Sequence, residues 1–85
     1  VSLKNEIRVE GHTDNVPIRG KRFGSNWELS MARAYAVVQR MQEFGVAPER
    51  LSGIGYGEHR PIGDNAAAEG RAKNRRIEIT LLRSE

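Results

Sequence analysis

The sequence predicts an α/β domain, a two-layer α/β sandwich in the order β-α-β-α-β. Three observations carry that prediction. Strict apolar–polar alternation occurs near both ends of the chain, at Ile7-Arg8-Val9-Glu10 and Ile77-Glu78-Ile79-Thr80-Leu81. A long amphipathic segment opens on a capping signature, and residues rich in glycine and proline separate these stretches. A period of two marks strands with one covered face. Helical segments between strands point to layers joined by crossover units.

The first strand, at Ile7 to Glu10, is followed by a long irregular loop from Gly11 to Gly24 that carries Pro17, Gly20 and Gly24. Loops of this length without structure of their own are usually functional or mobile. Ser25-Asn26-Trp27-Glu28 has the S-x-x-E spacing of a capping box, which starts a helix near Asn26. At 100° per residue, Ser30, Ala34, Val37, Val38, Met41 and Phe44 fall on one side, and Glu28, Gln39, Gln42 and Glu43 on the other. Gly45 supplies the stop, with Pro48 beyond it. Leu51 to Tyr56 reads as a strand weakened by Gly53, Gly55 and Gly57, and Pro61 to Asn65 as a turn. Ala66 to Asn74 suits a shorter second helix, and the last strand ends the pattern.

Eighty-five residues make one domain, 1–85, and a small one that buries roughly 60–65% of its unfolded surface. No segment approaches the ~20 consecutive apolar residues of a membrane span. Lys4, Glu6, Arg8 and Glu10 interrupt Val1–Glu10, so it carries no signal-peptide pattern. Fourteen Lys and Arg against eleven Asp and Glu leave a net charge of +3, which suits an anionic partner and is also ordinary for a soluble domain. The absence of cysteine removes thiol catalysis, thiolate metal sites and disulfides.

Two residues carry most of the functional information. Asp14 lies just past the carboxyl end of the first strand, the edge at which open α/β sheets usually bind ligands. It also suits a turn, where Asp accepts backbone hydrogen bonds. Arg33 shares a helical column with Asn26 and Val37, two turns from the helix start, and so borders the apolar face. It either lays its stem along the core edge or meets Asp14 in one crevice. Convergence of the two has a bland reading, an exposed salt bridge worth ~0–1 kcal/mol. The sharper reading is a clamp for a zwitterion, with the carboxylate on an ammonium and the guanidinium fork on a carboxylate.

Three blocks, from Ile7 to Asp14, from Asn26 to Ala34 and from Gly70 to Glu78, resemble the OmpA-like domain in order and over nearly the whole chain. The loop with Asn15-Val16-Pro17-Ile18 and the helix start at Ser25-Asn26-Trp27-Glu28-Leu29-Ser30 are similar to the MotB-type flagellar-motor stator branch of that family. The resemblance implies non-covalent, non-catalytic binding of peptidoglycan through the diaminopimelate of its stem peptide. Asp14 then takes the ammonium of diaminopimelate and Arg33 its carboxylate, while Thr13 and Asn26 line the same pocket. Arg76 adds positive potential or braces the site, with the choice between Arg75 and Arg76 left open. The resemblance also implies a periplasmic domain of an inner-membrane protein, working as a homodimer beside a MotA-like membrane partner. Another OmpA-like outer-membrane protein or lipoprotein is the alternative carrier. The family pattern begins with a further strand and helix that do not occur here, which implies an N-terminally truncated fragment.

Other readings fall away. Gly53-Ile54-Gly55-Tyr56-Gly57 lacks the G-x-G-x-x-G spacing before a helix, so no dinucleotide cofactor is expected. His12 and His59 are 47 apart with no carboxylate cluster at metal spacing, so no metal site is expected and His12 reads as a packing residue. Ser30 has neither a strained elbow nor an oxyanion hole, which argues against a hydrolase. The basic runs at Arg19-Gly20-Lys21-Arg22 and from Arg71 to Arg76 raise nucleic-acid binding, but glutamates intersperse the charge and aromatic residues are few.

Overall fold

The computed structural model describes residues 5–82; Val1 to Lys4, within the stretch read for a signal peptide, lie outside them. The elements run β1 (Ile7–His12), α1 (Asn26–Glu43), a 3-10 turn (Pro48–Arg50), β2 (Leu51–Gly55), α2 (Ala68–Asn74) and β3 (Arg76–Leu81). The sheet order is β2-β1-β3, with β1 parallel to β2 and antiparallel to β3. This is the α/β sandwich that the alternation predicts, with one difference in strand direction. A parallel third strand needs a crossover helix laid back along the sheet. With seven residues, α2 spans only ~10 Å and stays at the end where β2 finishes. The chain therefore re-enters the sheet at that end and β3 runs back.

α1 starts and stops where the sequence places it, for local reasons. Ser25 adopts extended backbone and its Oγ accepts the Glu28 N–H at 3.3 Å, covering one of the four unpaired amides of the first turn. At the other end Gly45 takes a φ of 101°, its N–H donates to the Gln42 carbonyl, and the Val46 N–H donates to the Met41 carbonyl. Those two bonds form the Schellman arrangement, in which glycine carries the left-handed residue without a Cβ clash.

The core is thin. Among the described residues Val9 and Ala34 are the fully buried apolar side chains, with Ser30 and Asn74 equally enclosed. α1 lies so close over β1 and β2 that a Cβ on Gly11 would overlap the Ser30 carbonyl, and one on Gly55 would overlap Met31. The glycines that weaken the second strand in sequence terms are what lets the helix approach it. Because cross-strand partners share a face, the pairs Ile7–Leu81 and Val9–Ile79 place β3's isoleucines and leucine on the α1 side. α1 does not reach that far, and Ile79 and Leu81 remain exposed.

Two sequence expectations are corrected. Phe44, assigned to the apolar side of α1, is 78% exposed because it caps the helix and lies beyond the sheet, under the Arg40 guanidinium. The second helix begins at Ala68 instead of Ala66. Asp64 Oδ1 accepts the Ala66 N–H, and the Asp64 carbonyl accepts the Ala67 N–H, so the chain is still turning there.

Candidate functional site

The carboxyl ends of β1 and β2, the start of α1 and the α2–β3 junction meet at one end of the sheet, and the predicted site residues gather there. β1 delivers His12, Thr13 and Asp14 in succession, all buried. The Thr13 N–H donates to the Gly57 carbonyl and the Tyr56 N–H to the Gly11 carbonyl, which ties the ends of β1 and β2 together.

The two carboxylate oxygens of Asp14 have different partners. Oδ1 accepts the Val16 N–H at 3.0 Å, the turn role open to any Asp. Oδ2 accepts from Arg75 Nη1 at 2.7 Å, an ion pair between a nearly buried carboxylate and a half-exposed guanidinium. Thr13 Oγ1 donates to the Asp14 carbonyl at 2.8 Å. Asn26 Nδ2 reaches the carbonyls of Asp14 and Val16 and, at 3.5 Å, Glu58 Oε1. Thr13 and Asn26 therefore hold the loop that presents Asp14.

Beside the Asp14–Arg75 pair lies a pocket of about 300 Å³ lined by Arg33, Ala36 and Val37 of α1 and by Arg75, Arg76 and Ile77. Its lining combines the apolar residues Ala36, Val37 and Ile77 with three arginines. Arg33 is exposed and has no ion-pair partner among the described residues. Arg76, by contrast, is occupied: its guanidinium bonds to Glu78 and to the carbonyls of Asn74 and Arg60. Of the predicted set, Arg33 and Arg76 line the pocket, and Asp14 joins it through Arg75. Thr13 and Asn26 are not in its wall.

Arg75 is the residue that sequence reasoning left undecided, and strand parity was the signal that separates the two arginines. Ile77 shares the α1 face with Ile79, so Arg75, two residues earlier, precedes the strand on that side. Arg76 pairs with His12 and Glu78 on the opposite face. Asn74 was missed as a structural lock. Fully buried, it accepts the N–H groups of Ile62 and Gly63 at 2.8 Å each and donates to the Gly63 carbonyl and to Asn65 Oδ1. That network fixes the junction from which Arg75 projects.

Two groups near this end have perturbed acidities. Burial, with help from the Arg76 charge, pushes the His12 imidazole below its ordinary value, so it is neutral at neutral pH. The Arg76 hydrogen bond holds the Glu78 carboxyl below its ordinary value.

A mixed α/β domain with an arginine-lined pocket at the strand ends is the class that fold and site define. The chain belongs to the OmpA family, whose model matches residues 2–75. It is 44% identical over 83 residues to Motility protein B of Bacillus subtilis (strain 168), covering 96% of this chain and 32% of that protein. It thus spans about a third of the length of that curated relative. The C-terminal domain of Helicobacter pylori MotB superposes with a TM-score of 0.91 at 38% identity, covering all of this chain and 64% of that one. The cell wall anchor of the T6SS from Pseudomonas aeruginosa superposes with a TM-score of 0.88 at 41% identity, over 96% of this chain and 57% of that one. Among the described residues no helix is long and apolar enough to cross a membrane.

Proposed function

We propose that this chain is a non-catalytic peptidoglycan-binding module that holds the diaminopimelate of the stem peptide between Asp14 and Arg33. In its parent protein it anchors a MotB-like motor stator to the cell wall from the periplasm. There it works as a homodimer, with a MotA-like partner in the membrane. One observation carries the reading: Arg33, without an ion-pair partner among the described residues, faces the same pocket as the arginine that holds Asp14. An amino-acid head group matches that charge layout. Its ammonium takes Asp14 Oδ2 in place of Arg75, while Oδ1 stays on the Val16 N–H and keeps the loop in place. Its carboxylate takes the Arg33 fork, with Arg75 adding positive potential across the pocket. The apolar lining of Ala36, Val37 and Ile77 suits the methylene chain between the two ends of diaminopimelate.

The motor and cell-wall relatives support the anchoring part of this reading. The test is a pull-down on purified diaminopimelate-type peptidoglycan. Arg33→Leu and, separately, Asp14→Asn abolish retention while far-ultraviolet circular dichroism stays near that of the parent chain. Truncating one partner of a desolvated charge contact costs ~2–5 kcal/mol, enough to lose a weak ligand. Retention by both folded variants contradicts the assignment.

A further inference from the structure

The sheet face turned away from α1 carries Arg8, Glu10 and His12 of β1 and Arg76, Glu78 and Thr80 of β3. Glu10 and Glu78 are direct cross-strand partners. Like charges placed opposite each other on neighbouring strands repel, an arrangement sheets avoid unless a cation offsets it. Arg8 approaches Glu10 only to 3.8 Å, and Arg76 serves Glu78. Between these carboxylates and the strand end sits His12, 2% exposed, with neither ring nitrogen hydrogen-bonded to any of the described residues. Stacking on Tyr56, at 5.2 Å between ring centres, accounts for the faces of the imidazole but not for its nitrogens. Buried polar atoms without a partner call for an explanation, of which a bound ion is one. One His12 nitrogen and one oxygen from each glutamate lie within 4.8 Å of one another.

We propose that Glu10, His12 and Glu78 form a site for a first-row divalent cation of the zinc type. Imidazole with carboxylates is a donor set that zinc accepts, whereas magnesium and calcium prefer oxygen alone. A neutral imidazole whose nitrogens are unpartnered among the described residues has a lone pair to give. Bonds of ~2.0–2.2 Å hold neighbouring ligand atoms ~3–3.5 Å apart, so rotation of the two glutamate side chains closes the triad. Glu78, 45% exposed, has room to turn while sharing or releasing Arg76. Water completes the coordination. An ion there ties β1 to β3 two residues from Asp14 and makes the binding end of the sheet more rigid.

The experiment is calorimetric titration of the chelator-stripped 85-residue chain with zinc chloride in a non-coordinating buffer. One saturable site per chain is expected, with magnesium unable to compete. Glu78→Gln and Glu10→Gln each weaken zinc binding at least tenfold with unchanged circular dichroism, while His59→Ala leaves it as it was. Nitrogen chemical shifts of the His12 ring move on zinc addition. Should Glu10→Gln lose its fold, the exposed Glu78→Gln substitution decides alone. Absence of saturable binding at micromolar zinc, full affinity in Glu78→Gln, or loss of the site in His59→Ala overturns the proposal.

Discussion

The two carboxylate oxygens of Asp14 do different things, one serving a turn and the other an ion pair. The Val16 N–H holds Oδ1 and Arg75 holds Oδ2, so the turn-forming reading of this residue describes one oxygen, and the proposed clamp concerns the other. Because Arg75 is nearly half exposed, its pair with Asp14 is screened by water. Arg75→Gln is expected to lower stability by less than about 1 kcal/mol in urea denaturation. Asn74 behaves differently. Asn74→Leu removes the acceptor shared by the Ile62 and Gly63 amides and costs about 2–4 kcal/mol. Equal effects of the two substitutions would contradict this division. Nothing in the residue pattern distinguished Asn74 from a surface helix end, because its partners lie in a loop whose path the sequence does not reveal. The Asp14 and Arg33 positions were legible, since strand end and helical column are local properties. That Arg75 holds Asp14 depended on sheet register, a non-local one.

At the scale of the element, α1 illustrates what local chemistry specifies. Its cap, its glycine stop and the column containing Arg33 follow from spacing alone, and Ser25→Ala is expected to destabilise the fold by ~1 kcal/mol through loss of the cap. Its distance from the sheet is not visible in the helix sequence and is set by glycines on the strands. Gly11→Ala drives a Cβ to within 2.1 Å of the Ser30 carbonyl oxygen, which is backbone and cannot rotate away. The helix must lift, at a cost of about 3 kcal/mol or more, which guanidinium titration measures. β3 is the element whose direction the pattern concealed. Alternation reports which face is covered but not which way a strand runs, and the short α2 determined the latter.

The whole molecule should register pH through His12. Its folded-state value lies below the ordinary 6.5, so the folded protein binds fewer protons than the unfolded chain beneath that pH. Stability is therefore full above about 6.5 and declines as pH falls toward the depressed folded value. Glu78 adds the same sign lower down, below its ordinary 4.5. Urea midpoints recorded from pH 8 to 5 should be level at first and fall below about 6.5, and His12→Gln should flatten that fall. Ionic strength separates the clamp from a general polyanion surface. Contact with many phosphates weakens steeply with salt, whereas retention on the wall polymer through one zwitterion changes little between 50 and 200 mM.

Nuclear magnetic resonance titration of the isotopically labelled chain with free meso-diaminopimelate tests the charge layout at its source. Saturable shifts are expected at the Asp14 and Val16 amides and at the Arg33 and Arg75 side chains, absent in Arg33→Leu. Shifts confined to the basic loop around Arg19–Arg22, or the same response with Arg33→Leu, would contradict that layout.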